Sequence, residues 1–157
     1  MVSSNSLLSL LRLPRYGRKT VFKLIPELAA DFESPDDLIQ FLSDASKKIK
    51  GIKVPDGDQA KAAIQEAREL IIRSEDAGIE ILGYKDASFP LRLTNIPDPP
   101  VVLFSKGNLQ ESQNAISVSL IGTRKPSEFG RKSAYAIAKS LAGLGVTVVS
   151  GLALGCD

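Results

Sequence analysis

The run ISVSLIG at 116–122 constrains this chain most, because it is a nearly unbroken apolar segment that closes on a glycine. Such a run suits a strand buried on both faces of a parallel sheet. VTVVSG at 146–151 repeats the pattern. Between the two, residues 127–144 place Ala134, Ile137, Ala138 and Leu141 on one helical face, with Ser127 as a cap and Gly145 as a stop. Parallel strands need a crossover, and crossovers of this kind are right-handed. Residues 116–151 therefore predict one right-handed βαβ unit, the start of an open α/β sheet.

Upstream the pattern is different. From residue 6 to about 77 the apolar period is helical, with short stripes at Leu7, Leu8, Leu10 and Leu11 and over 20–30, the second interrupted at Pro26. Ser34-Pro35-Asp36-Asp37 announces a helix: a capping serine, a proline at the first position, and carboxylates against the positive end of the dipole. Leu38, Phe41 and Leu42 supply its buried face. After a loop over 51–57, residues 58–77 form the longest helix, stopped by Gly78. Residues 79–84 and 101–105 read as short strands, joined by the proline-rich, irregular FPLRLTNIPDPP, and the polar stretch 108–113 reads as a loop. We expect an all-helical domain over 1–78 and an α/β domain over 79–157.

Composition excludes several chemistries. The chain of 157 residues contains no histidine, which removes the imidazole base, the histidine-containing triads and nearly all zinc sites. Its single cysteine, Cys156, permits neither an internal disulfide nor a four-thiolate site. No metal and no cofactor is expected. No apolar run reaches membrane-spanning length and no leader pattern opens the chain, so a cytoplasmic location without membrane attachment is expected. The net charge is only +2, but it is unevenly distributed. Arg12, Arg15, Arg18, Lys19 and Lys23 crowd the first 26 residues without an acid. Arg124, Lys125, Arg131, Lys132 and Lys139 face one acid, Glu128, within 117–140. Two basic islands on an acidic remainder fit an anion or nucleic-acid binder, the alternative being ordinary solvated charge.

The second island lies where such sheets bind ligands, at the carboxyl ends of the strands. Gly122 allows close backbone approach there, Ser127 caps the following helix, and Arg124 and Lys125 fix positive charge at the same edge. The loop after the second strand, beginning at Gly151, reaches that edge too. Together these residues suggest a phosphate site, although neither G-x-x-x-x-G-K-[ST] nor G-x-G-x-x-G is present, and ordinary turns are the competing explanation. Arg124 has a competing role as well, in a salt bridge to Glu128 or Asp157.

GTRKPSEFG followed by VTVVSGLALGCD is similar to the two signature blocks of the DNA-processing protein A family, also called Smf, and FPLRLTNIPDPPVVLFSKGNL resembles the stretch before them. The resemblance covers about 79–157. It implies a Rossmann-like core that binds single-stranded DNA without cutting it, loads a RecA-type recombinase in natural transformation, and works as a homodimer when full length. It implies that Arg124 holds a DNA phosphate while Gly122, Thr123 and Gly151 support the pocket beside Lys125. Ser127 and Gly130 match the rest of the first block, and Cys156 stands where the second block usually has isoleucine. Residues 13–20, LPRYGRKT, are similar to a helix-hairpin-helix turn with Arg15 in place of its first glycine. That implies a secondary DNA contact through Arg15, Gly17, Arg18 and Lys19, against a packing module with solvated charges. The alternative function is a nucleotide-processing enzyme, phosphoribohydrolase-like, on a related scaffold. Glu128 and Asp157 are not paired for acid–base work, so no catalytic residue and no enzyme activity is expected. The sheet has only its first strands here, and we expect the chain to be the first part of a longer protein.

Overall fold

The structure, a computed structural model, describes residues 3–84, 86–109 and 116–157. Helix α1 (Ser4–Arg12) is followed by α2 (Arg18–Leu24), a 3-10 turn (Ile25–Glu27), α3 (Pro35–Lys48) and α4 (Gly57–Asp76). Strand β1 (Glu80–Gly83), the short α5 (Leu91–Thr94) and β2 (Val102–Ser105) come next. Strand β3 (Ser117–Ser119), α6 (Glu128–Gly143) and β4 (Thr147–Val149) complete the described elements. The chain is α/β, and it forms two compact units, residues 1–107 and 108–157.

In the first unit the helix starts follow from local chemistry. Ser34 and Asp37 form a reciprocal capping box at α3, and Asp56 and Gln59 form another at α4. The buried face of α4 is lined by Ala60, Ala63, Ile64 and Ala67, small enough for α1 to lie close against it. Leu10, Val21, Leu24, Leu38 and Leu42 are fully enclosed and join the helices into one core. Proline at 26 turns the end of α2 into the 3-10 segment, where the apolar stripe over 20–30 predicts a helix.

Strands β1 and β2 pair antiparallel, Glu80 opposite Ser105 and Gly83 opposite Val102. They go with the helices, so the compact units divide after residue 107 rather than at the predicted 78/79. The reason is packing. A Cβ at Gly83 would lie 2.8 Å from Leu7 Cδ1, Ser4 Oγ donates to the Ile81 carbonyl at 3.1 Å, and Val101 belongs to the helical core. Tyr84 meets Phe22 edge to face with centroids 4.8 Å apart. The irregular connection contains one helical turn, α5. The predicted loop over 108–113 falls largely outside the described residues.

In the second unit β3 and β4 are parallel, Ser117 opposite Thr147 and Ser119 opposite Val149, and α6 joins them and packs on β4. Ladder bonds Thr147 N–H to Ile116 O and Leu120 N–H to Val149 O extend the pairing by one residue at each end. The strands are shorter than the sequence predicts, and the expected burial on both faces is not observed. None of the described residues 116–157 is buried, and Ile116 and Ile121 are 76% and 82% exposed. Two strands and one helix enclose no volume of their own.

Candidate nucleic-acid interface

Within the second unit the residues singled out in the sequence converge on the carboxyl end of β3 and β4. Ser127 Oγ accepts from the Gly130 N–H at 3.1 Å, which starts α6 and leaves the N–H groups of Glu128 and Phe129 without an acceptor inside the helix. Thr123 Oγ1 accepts from the Lys125 N–H at 3.2 Å, a local turn that sets the backbone beside Arg124. Gly122, Thr123, Arg124, Lys125 and Ser127 are all exposed, and Gly130 is half-buried.

The charges sort themselves by partner. Glu128 Oε1 takes the Lys132 ammonium at 2.8 Å, one turn along α6. Asp157 Oδ2 accepts from the backbone N–H groups of Gly151 at 3.1 Å and Ala153 at 3.4 Å. Both acids that could have neutralised Arg124 are thus engaged elsewhere. Among the described residues Arg124 has no ion-pair or hydrogen-bond partner. Arg124 is exposed and lies three residues before the cap of α6, a placement suited to a phosphate ligand.

The glycines do something other than the sequence suggests. Gly122 gives close approach to the neighbouring loop, not open space for a ligand: a Cβ there would lie 2.4 Å from Cys156 Cβ. Gly151 belongs to a backbone nest whose N–H is already taken by Asp157. Two further residues were not assigned from sequence, Gly155 and Phe129. Gly155 has φ 122°, which the sequence signals only as one more small residue. Phe129, in the first turn of α6, is 80% exposed. Its position off the face marked by Ala134, Ala138 and Leu141 is a signal that could have found it.

In the first unit the turn after α1 has Arg15 in the left-handed region, φ 70°, where the similar hairpin pattern has glycine. Gly17, by contrast, is the N-cap of α2 with φ −92°. Arg18 is paired with Asp98, while Arg15 and Lys19 are exposed. Tyr16 Oη donates to the Lys53 carbonyl at 2.6 Å, and a hollow of about 260 Å³ lies between Arg15, Tyr16, Lys53 and Val54. Burial pushes the Tyr16 hydroxyl up from its ordinary value, partly offset by that bond. Among the described residues no group of histidine, cysteine and carboxylates could hold a metal, and no helix is long and apolar enough to cross a membrane.

The model of the family DNA recombination-mediator protein A matches residues 80–157. Over these residues the chain matches that family. It is 33% identical over 82 residues to the DNA processing protein DprA of Bacillus subtilis, covering 52% of this chain and 28% of that protein. It is 43% identical over 75 residues to the protein Smf of Synechocystis, covering 46% of this chain and 19% of that one. The X-ray structure of DNA processing protein A from Streptococcus pneumoniae aligns with TM-score 0.48 at 20% identity, over 90% of this chain and 51% of that one. The matched region thus spans 28% and 19% of the length of these two curated relatives.

Proposed function

We propose that the protein binds single-stranded DNA and acts as a recombination mediator that loads a RecA-type recombinase in DNA-mediated transformation. On this reading it works in the cytoplasm, as a homodimer when full length. The observation that carries the DNA reading is the exposed, unneutralised Arg124 among the described residues, one turn before the capped start of α6. Arg124 holds a phosphate with two parallel hydrogen bonds, Lys125 adds charge, and the N–H groups of Glu128 and Phe129 at the start of α6 are offered to the same oxygens. Phe129 offers a stacking face to the adjoining base, which tolerates any sequence. The turn at Arg15, Gly17 and Lys19 supplies a second, weaker contact, with Arg18 engaged by Asp98.

We read the protein as a binder rather than an enzyme. Glu128 is tied to Lys132 and Asp157 to two backbone amides, which supports no acid–base role for either. The test is Arg124→Lys in the intact protein. Lysine keeps the charge but not the two-pronged geometry, so affinity for single-stranded DNA should fall by roughly 1–2 kcal/mol with thermal stability unchanged. Unchanged affinity with lowered stability would make Arg124 scaffolding and sink the reading.

A further inference from the structure

We propose that the loop after β4 is the positioning element for Arg124, with Gly155 and Asp157 as its working parts. The inference rests on the reading of Arg124 as a phosphate ligand. The sheet alone does not hold that residue, because β3 ends at Ser119 and its last ladder bond is made at Leu120. What meets Arg124 is the other loop. A Cβ at Gly155 would lie 2.2 Å from the Thr123 carbonyl oxygen and 2.8 Å from Arg124 Cα, so the two backbones touch and only glycine fits between them. Its φ of 122° excludes other residues independently. The contact is reciprocal: a Cβ at Gly122 would strike Cys156 Cβ, and the Cys156 N–H donates to the Thr123 carbonyl at 3.3 Å.

The β4 loop needs its own brace to serve as a mould. Asp157 provides it, bridging the N–H groups of Gly151 and Ala153 around Leu152, which sits in the left-handed region at φ 52°. The chain of support runs from Asp157 through the 151–153 nest and Gly155 to the backbone of Thr123 and Arg124. Asp157 is therefore a positioning residue. A guanidinium that must meet phosphate with two aligned bonds is sensitive to displacement of its Cα, whereas a point charge on a flexible stem is not.

A double-mutant cycle in the intact protein tests this, read by fluorescence anisotropy of a fluorescein-labelled oligothymidylate. Gly155→Ala and Asp157→Ala should each weaken binding about tenfold, the scale of one charge-assisted contact; Asp157→Ala should do so with little change in Tm, whereas Gly155→Ala, which forces the two backbones apart, should lower it. In an Arg124→Ala background each should add less than about twofold, because what they position is gone. Fully additive losses would show that the β4 loop acts on DNA without Arg124 and would overturn the inference. So would tighter binding by Asp157→Ala, which would mean that the freed N–H groups take a phosphate themselves. If Gly155→Ala unfolds the second unit, the Asp157→Ala arm decides alone. If Arg124→Ala leaves the affinity unchanged, the underlying DNA reading fails and takes the inference with it. Losses from Arg124→Ala but none from the loop variants reject the inference alone.

Discussion

At Arg15 two demands on one residue conflict. A non-glycine side chain in the left-handed region costs about 1–2 kcal/mol through contact of Cβ with the following carbonyl. The turn between α1 and α2 needs that conformation, since the Tyr16 N–H closes onto the Leu13 carbonyl and the Tyr16 ring must drop into the core. Glycine would satisfy the backbone, but it would remove a cation from the first basic island. Arg15→Gly should therefore separate stability from binding. Relief of the contact, less the freedom glycine adds to the unfolded chain, leaves a gain of about 0.5–1 kcal/mol. Single-stranded DNA affinity should fall at the same time. Thermal unfolding together with anisotropy reads both, and a lower Tm would show that the arginine side chain makes a supporting contact worth more than the strain.

Helix α1 is fastened at its start by a single carboxylate. Asp31 accepts from the Ser3 N–H at 2.8 Å, the Ser3 hydroxyl at 2.8 Å and the Ser6 hydroxyl at 2.7 Å, while Ser6 Oγ in turn accepts from the Phe32 N–H. Partial burial pushes the Asp31 carboxyl up, but the bonds from Ser6 and Ser3 outweigh it and hold the group below its ordinary value. A lowered folded pKa means that the ionised form is the one the fold favours. The stabilisation is present above the unfolded value, about 3.9, and is lost as pH falls through the folded one. Urea unfolding of wild type and Asp31→Asn should show a gap at pH 7 that narrows below about pH 4; a gap that widens on acidification would refute the assignment. Elements with such local signals were legible in the sequence. The starts of α3 and α6 were set by Ser34 with Pro35 and by Ser127, and the structure places them there. What was not legible depends on partners distant in the chain. Nothing in 79–84 shows that Gly83 must clear Leu7, and nothing near Gly122 shows that Cys156 will fill the space above it. The candidate site follows the same rule: Arg124 is singled out by its place after an apolar run, whereas Gly155 acquires meaning only when two loops meet.

The molecule carries its two basic islands in different compact units, and each can be tested separately by its effect on one measured slope. Single-stranded DNA binding that neutralises phosphates releases counterions, so log K falls with log salt by about 0.7 for each phosphate engaged. Aromatic residues are only 6% of the chain and tryptophan is absent, so on the proposed function charge should outweigh stacking. Surface pairs remove some cations from the count. Arg18, Lys47, Lys48 and Lys132 each face a carboxylate, and such exposed pairs contribute little to folding yet leave less charge for DNA. On the proposed function, Arg124 in the second unit, and Arg15 with Lys19 in the first, are the cations that meet phosphates. Arg124→Gln should therefore reduce the magnitude of the slope by about 0.7, and the pair Arg15→Gln with Lys19→Gln by about 1.4. The two reductions should add, because the changes lie in separate units with no shared partner. A slope untouched by the Arg15 and Lys19 changes would confine DNA to the Arg124 loop, and the first basic island would then be solvated charge on a packing module. An affinity independent of salt in the unaltered protein would remove phosphate contact as the basis of binding in both units.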